Sequence, residues 1–423
     1  MNRKSLFIGQ LMAGACLVGP AYAQTAATAA TAATAASAAA PAASAPSDNG
    51  SQLSEVVVTA QRVTQSLQKV PIAVSAVSGR DLVSRGITGT LGLDAAVPNL
   101  NLPQNGTVLN PYLRGVGSNA SDPNDEASVA LYVDGVYIAS PLANILNFNN
   151  IERVEVLAGP QGTLFGRNAT GGVIQIVTRD PSQTPGGEIK VSYGDYNTVG
   201  TSFYATTGLG PNLAADFAAV YNNIIDGYGR DITLNIPIMR REDLGLRSKV
   251  LWTPNATTQI RLSGDYTRVR SDGTPYQLGP GVVGADGITT NAGPYTTNTN
   301  ERNLANDDIW GVSLRLDHDF GAVRFVNISA YRHITGLYQL DEDATPAPVV
   351  NSFIHQLAKT YSQEDQILSP PTRISSGSWV FTTSTQPMPT IRLPSVVWRR
   401  AVPPPAKTFS ERRRPIPTQG MAR

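Results

Sequence analysis

Ile151-Glu152-Arg153-Val154-Glu155-Val156-Leu157-Ala158-Gly159-Pro160-Gln161-Gly162-Thr163-Leu164-Phe165-Gly166-Arg167-Asn168-Ala169-Thr170-Gly171-Gly172 is the stretch on which the fold turns. Val154–Leu157 reads as a strand, and Gly159-Pro160-Gln161-Gly162 closes it with a tight turn. A second strand, Val173–Thr178, follows the pair Gly171-Gly172. The glycines and Gly166 do not make a phosphate-cradling loop. No Gly-Lys-Ser/Thr follows, and the spacing fits neither nucleotide fingerprint.

Working outward, residues 66–181 are mixed in pattern. Ile72–Val77 and Val129–Val133 read as strands, Ser78–Leu82 opens a short helix, and Leu91–Val97 a second one stopped at Pro98. The result is an α+β domain of common size. From 187 to 369 the period becomes 2: Ile189, Val191 and Tyr193 alternate with Lys190 and Ser192, and Ile260, Leu262 and Tyr266 with Arg261, Ser263 and Asp265. Strands are expected near 187–194, 199–208, 214–223, 243–253, 257–269, 309–318, 322–333 and 353–368. Short turns (Leu209–Leu213, Pro254–Ala256, Asp319–Gly321) alternate with long polar loops (224–242, 270–308). A soluble sandwich shares the alternation of residues but not that alternation of loops, which belongs to antiparallel transmembrane β-barrels. Trp252 and Trp310 fall near strand ends, where an aromatic girdle would lie.

The chain begins as an exported one. Asn2-Arg3-Lys4, the apolar stretch Leu6–Val18 and Ala21-Tyr22-Ala23 make a signal peptide over 1–23, cleaved between Ala23 and Gln24. Lipid attachment at Cys16 is the less favoured alternative. Residues 24–50 are an Ala/Thr-rich spacer, too apolar-poor to offset the entropy of ordering. Glu55-Val56-Val57-Val58-Thr59-Ala60 is a β-branched run that serves either as an added strand for a partner's sheet or as the first strand of the domain after it. Residues 370–423 hold ten Pro and nine Lys or Arg against the single acid Glu411. A disordered binding tail and out-of-frame translation both fit, and the second is preferred because the alternation breaks without a linker.

Composition narrows the function. The net charge of +1 offers no general attraction to nucleic acid or to anionic surfaces. Three dispersed histidines and one cysteine assemble no zinc, thiol or hydrolytic set. The acidic runs Asp122–Glu126 and Asp341–Asp343 lack calcium-loop spacing. No enzyme, cofactor or metal site is expected.

Five ordered motifs resemble the TonB-dependent outer-membrane receptor family. Glu55–Arg62 looks like its TonB box, Val70–Ser75 like the opening strand of its plug, and Leu113-Arg114-Gly115-Val116-Gly117 and Tyr132-Val133-Asp134-Gly135-Val136-Tyr137 like internal plug motifs. Residues 151–172 match most strongly, with Glu152, Arg153, Glu155, Gly159, Pro160, Gly166, Gly171 and Gly172 at motif positions. Ala158 departs from the family's usual Arg. Trp252-Thr253-Pro254-Asn255 is similar to a barrel turn of the family.

The resemblance implies a barrel of about 22 strands closed by the plug. It also implies a scarce small-molecule ligand, by default a ferric siderophore, and a TonB box (55–62) that pairs as a strand with the energy-transducing protein TonB. Outer-membrane lipid surrounds such a barrel. Glu152, Arg153 and Glu155 are candidates for plug–barrel contact, against an equal reading as a solvated strand face. About eight barrel strands (187–369) would be too few to close around a plug, and an open edge in lipid leaves unpaired groups costing several kcal/mol each. The alternative function is therefore a truncated, non-transporting product that at most binds TonB.

Overall fold

The computed structural model describes residues 57–60, 62–63, 65–105, 108–118, 127–144, 146–148, 150–273, 275–369 and, for the backbone, 378–385. The signal segment with Ala23 and Gln24, the spacer, Glu55, Val56 and the run Asp122–Glu126 lie outside the described residues.

Two short strands lead the described chain: β1 (Val57–Val58) pairs antiparallel with β2 (Gln65–Ser66). The plug sheet follows, built from β3 (Val74–Ser78), β4 (Val129–Val133), β5 (Val136–Ile138), β6 (Ile151–Ala158) and β7 (Gly172–Thr178). Its order is β3-β6-β7-β4-β5, with only β7 and β4 parallel. Helix α1 (Gly79–Ser84) is capped by the Ser78 hydroxyl, which accepts from the Asp81 amide at 3.1 Å. Thr90–Ala95, expected as a helix, is a 3-10 helix. Gly92 packs on Ile87 there and Pro98 bars continuation. A short helix, α2 (Gly162–Phe165), occupies what the sequence suggests is only turn.

Asp134 and Gly135, both at positive φ (49° and 86°), form the two-residue turn between β4 and β5. Such a turn matches the twist of the flanking strands and selects Asp-Gly. Gly135 has a second reason to lack a side chain, because a Cβ there would lie 2.8 Å from Ile328 of the barrel wall. Gly172 is excluded from bearing a Cβ by the Leu157 carbonyl, 2.3 Å away. Gly171 would meet Val116 at 3.0 Å, while Gly159 and Gly166 take positive φ at turns.

Among the described residues the barrel portion is a meander of nine antiparallel strands, each paired with the next: β8 (Gly186–Gly194), β9 (Thr198–Gly210), β10 (Leu213–Ile224), β11 (Arg241–Asn255), β12 (Thr258–Ser271), β13 (Leu304–Asp319), β14 (Arg324–Asp341), β15 (Asn351–Leu368) and β16 (Ser378–Thr385). The first eight fall where alternation places them, but several run further. Trp310 is consequently well inside β13 rather than near its end. Pro254 lies inside β11, where the pairing with β12 is irregular, so the turn itself is 256–257. The ninth strand corrects the boundary at 370. Ser378–Thr385 pairs with Tyr361–Leu368 residue for residue, inside the stretch set apart as a tail. The long loops carry short strands at Gly229–Asp231, Ile236–Ile238 and Thr296–Thr297.

The plug core (Leu82, Leu93, Leu113, Leu131, Val154, Ile174 and Ile176 among others) is continuous with Ile309, Ile334 and Tyr338 of the barrel wall. One apolar cluster thus holds plug and wall together. A second cluster joins Val58 and Ala60 to Tyr132, Leu157, Phe165 and Val173.

Candidate functional site

Glu155 sits on the central strand β6, flanked by Ala76 of β3 and Gln175 of β7, and its side chain is 0% exposed. A carboxylate removed from water needs charged or donor partners. Arg153 supplies its Nε at 2.7 Å. The rest come from the segment just after β1. The Thr59 amide donates to both Glu155 oxygens at 2.9 and 3.0 Å, and the Thr59 hydroxyl donates at 3.0 Å. Gln175 Nε2 donates to that hydroxyl at 2.6 Å. Val58 and Ala60 on either side are both 0% exposed. Full burial of a Val is worth about 1.5–3 kcal/mol. The described part of the segment read as the TonB box, Val57–Ala60, is thus docked on the plug, and among the described residues its strand pairs with the two residues of β2.

Arg62 continues the same path. Its guanidinium lies 4.2 Å from the Phe165 ring centroid and 5.0 Å from that of Tyr132. Its Nη2 donates to Glu364 of β15 at 3.0 Å, with both side chains nearly buried. Burial pushes the Tyr132 phenol above its usual range, so it stays protonated and donates to the Phe165 carbonyl at 2.7 Å. The end of the docked segment is therefore tied to the barrel wall.

A second tie lies at the far end of the plug sheet. Asp134 accepts from the Thr178 amide and hydroxyl at 2.8 and 2.6 Å. Lys249, on the inner face of β11 and 3% exposed, reaches Asp134 at 3.6 Å and Asp180 at 3.1 Å, and also donates to the Arg179 carbonyl at 3.2 Å. Arg261 bridges Asp180 at 2.8 Å and Asp317 at 3.0 Å. Burial alone would raise the Asp134 carboxyl, but Lys249, Arg247 and the Thr178 bonds hold it below the usual range. Asp180 is likewise raised by burial and brought down further, to about 2, by Arg261 and Lys249. A lowered pKa means the folded state prefers the charged form. This contribution is complete above the ordinary value of 3.8 and fades as pH falls towards about 2. Wild type should therefore exceed Asp180→Asn in urea midpoint at pH 6, with the gap closing between about pH 4 and pH 2; a gap independent of pH would refute this.

Between these ties lies a polar cavity of about 370 Å³, lined by Thr59, Arg153, Asp134, Arg261, Arg315 and Gln366 among others. It faces the box segment, the plug sheet and the inner barrel wall together.

The expectations for the motif residues divide. Glu152 and Arg153 form an ion pair at 2.5 Å and border the cavity, but Glu155 is 0% exposed and among the described residues its carboxylate bonds to Thr59 and Arg153, not to the barrel. Both earlier readings of Glu155 are thus replaced, because its strand is covered by the box segment. Arg114 and Gly115 make an exposed turn at positive φ. Pro160 follows Gly159 in the turn that leads to α2. Ala158 packs against the plug core, and its amide donates to the Ala73 carbonyl at 2.9 Å. Lys249, Arg261, Asp180 and Glu364 were not anticipated. The available signal was a charge at an inward position of an alternating strand, which does not identify its partner. Among the described residues no group of three or more His, Asp, Glu or Cys is placed to hold a metal, and Asp341 is engaged by the Asn300 and Ala344 amides.

Residues 66–173 match the family model described as TonB-dependent Receptor Plug Domain. The pesticin receptor of Yersinia pestis is 30% identical over 229 residues, covering 53% of this chain and 31% of that protein. The vitamin B12 transporter BtuB of Vibrio vulnificus is 32% identical over 147 residues, 33% of this chain and 23% of its own length. The crystal structure of the ferric yersiniabactin uptake receptor FyuA from Yersinia pestis aligns with a TM-score of 0.64 at 21% identity, covering 77% of this chain and 50% of that one. The chain thus spans about a third of the pesticin receptor's length. These relatives are receptors and transporters rather than enzymes. Residues 66–173 thus carry the plug domain of TonB-dependent receptors, and the antiparallel wall after them shares the fold of the outer-membrane receptors to which the chain is similar.

Proposed function

We propose that the protein serves active uptake across the outer membrane, taking a ferric siderophore as cargo and drawing energy from TonB through residues 55–62. The observation that carries this reading is the docking of Val57–Ala60. Among the described residues the segment pairs through Val57 and Val58 with Gln65–Ser66, and its Thr59 is held by the Glu155 side chain. Such a strand can leave its dock and add to a partner's sheet edge, where main-chain bonds supply the affinity. The ties from Arg62 to Glu364 and from Lys249 to Asp134 and Asp180 then set how the plug resists a pull on that strand. The cargo class is supported by the relatives named for ferric yersiniabactin and ferripyoverdine, while BtuB is named for vitamin B12.

The test is accumulation of radiolabelled cargo by cells expressing the protein, with TonB present or deleted. A panel of ferric siderophores is set beside cobalamin. TonB-dependent accumulation of a ferric complex is expected. Accumulation of cobalamin alone would reject the cargo class, and accumulation indifferent to TonB would reject the coupling.

A further inference from the structure

The outward face of the barrel wall carries a feature that plug, box and cargo do not use. The short connections between strands (211–212, 256–257 and 320–323) lie at one end, the periplasmic end in barrels of this kind. Strands β13, β14 and β15, of 16 to 18 residues, exceed the ~9–11 needed to cross a bilayer, so they project beyond its outer surface. Trp310, Tyr331 and Tyr361 form a continuous aromatic row on the outward face, with centroids 5.2 and 4.6 Å apart. Amphipathic rings of this kind favour the headgroup level.

On the periplasmic side of the row is an apolar groove of about 500 Å³, walled by Leu262, Val312, Leu314, Tyr331 and Tyr361. Ser329, opposite Leu314 on one side and Gln363 on the other, is the small residue that leaves it open. Two residues beyond Tyr331, on the outer side of the row, His333 stands directly opposite Lys359. His333 stacks on Trp310 at 5.5 Å. Two basic groups in cross-strand register repel when both are charged. The other outward cations near this level have acids: Arg268 pairs with Glu242 at 2.6 Å and Arg270 with Asp308 at 2.7 Å. Among the described residues no carboxylate lies within ion-pair distance of Lys359, which is exposed. Asp365, six residues further along β15, is taken by Asn327 at 2.7 Å and Gln363 at 3.2 Å.

We propose that Lys359 and His333, with the groove across the aromatic row from them, form a binding site for a phosphate-bearing lipid of the outer leaflet. The phosphate is held by Lys359 beside His333, whose Nε2 also meets the Thr335 hydroxyl at 3.2 Å, and an acyl chain lies in the groove over Ser329. The charge pattern selects an anion at headgroup height, and the groove selects a chain directly below it. Neither half alone distinguishes a lipid from a soluble anion or from general hydrocarbon.

The test is native mass spectrometry of the protein extracted from outer membranes in mild detergent, which is independent of uptake and of TonB. Retention of a phosphorylated lipid is expected. Lys359→Gln with His333→Gln should lower retention about tenfold or more, as loss of charge-assisted contacts implies, and Ser329→Leu should do the same by filling the groove. Arg268→Gln, which alters a cation already paired, should retain it. The wild-type protein is also offered lipid A and its dephosphorylated form, so that the result does not depend on a variant folding. Preference for the phosphorylated form supports the site. Equal retention of both, or retention unchanged in the Lys359/His333 variant, overturns it.

Discussion

Lys249→Met should destabilise the folded protein by about 3 kcal/mol, seen as a lower urea midpoint followed by tryptophan fluorescence in detergent. The ammonium is nearly buried and compensates Asp134 and Asp180, while also donating to the Arg179 carbonyl. Removing one partner from a buried pair strands the other charge, at a cost of ~3–5 kcal/mol. The low end applies because Asp180 is partly exposed and keeps Arg261. Asp134 has no such second cation within ion-pair distance among the described residues, so it dominates the loss. Adding Asp134→Asn to Lys249→Met should recover part of the stability, since the stranded charge is then gone. An unchanged midpoint in the single variant would show that the tie does not support the docked plug.

Glu155→Ala should release the segment Val57–Ala60 from the plug while leaving the plug sheet folded. Thr59 would lose acceptors for both its amide and its hydroxyl. Hydrogen bonds to a charged group contribute ~1.5–3 kcal/mol, which is roughly a 10- to 100-fold change in the opening equilibrium. A cysteine placed by Val58→Cys is buried in the docked state, so its labelling rate reports opening. Labelling should accelerate by about that factor in the Glu155→Ala background. Equal rates in both backgrounds would mean that apolar burial of Val58 and Ala60 holds the segment, not the carboxylate. A loss of folded signal from the plug would instead place Glu155 in the sheet's own stability.

Much of the architecture was legible along the chain because its signals are local. Alternation of Ile260, Leu262 and Tyr266 with Arg261, Ser263 and Asp265 reports a strand with two unlike faces, whatever its neighbours are. Asp134-Gly135 announces a tight hairpin for a similarly local reason. Ser78 caps α1 through a bond spanning three residues. Where the reading stopped short, the missing information was not local. Ser378–Thr385 extends the sheet in register although proline-rich surroundings hid it, since strand pairing is decided by the edge of β15 that receives it. The strands β13 and β14 continue beyond the apolar alternation because the portion past the aromatic row meets water and tolerates charge.

The sequence by itself determined the plug, the antiparallel wall that follows it and the extended run at Val57–Ala60, because hydrophobic period, turn chemistry and motif order are all carried by neighbouring residues. Only the tertiary structure decided that Glu155 faces Thr59 rather than the barrel, that Arg62 reaches Glu364, and that Lys249 serves Asp134 and Asp180. The physical reason is distance along the chain. Each of these contacts joins residues roughly 70 to 300 positions apart, and a buried charge takes its partner from whichever strand the fold brings within hydrogen-bond reach.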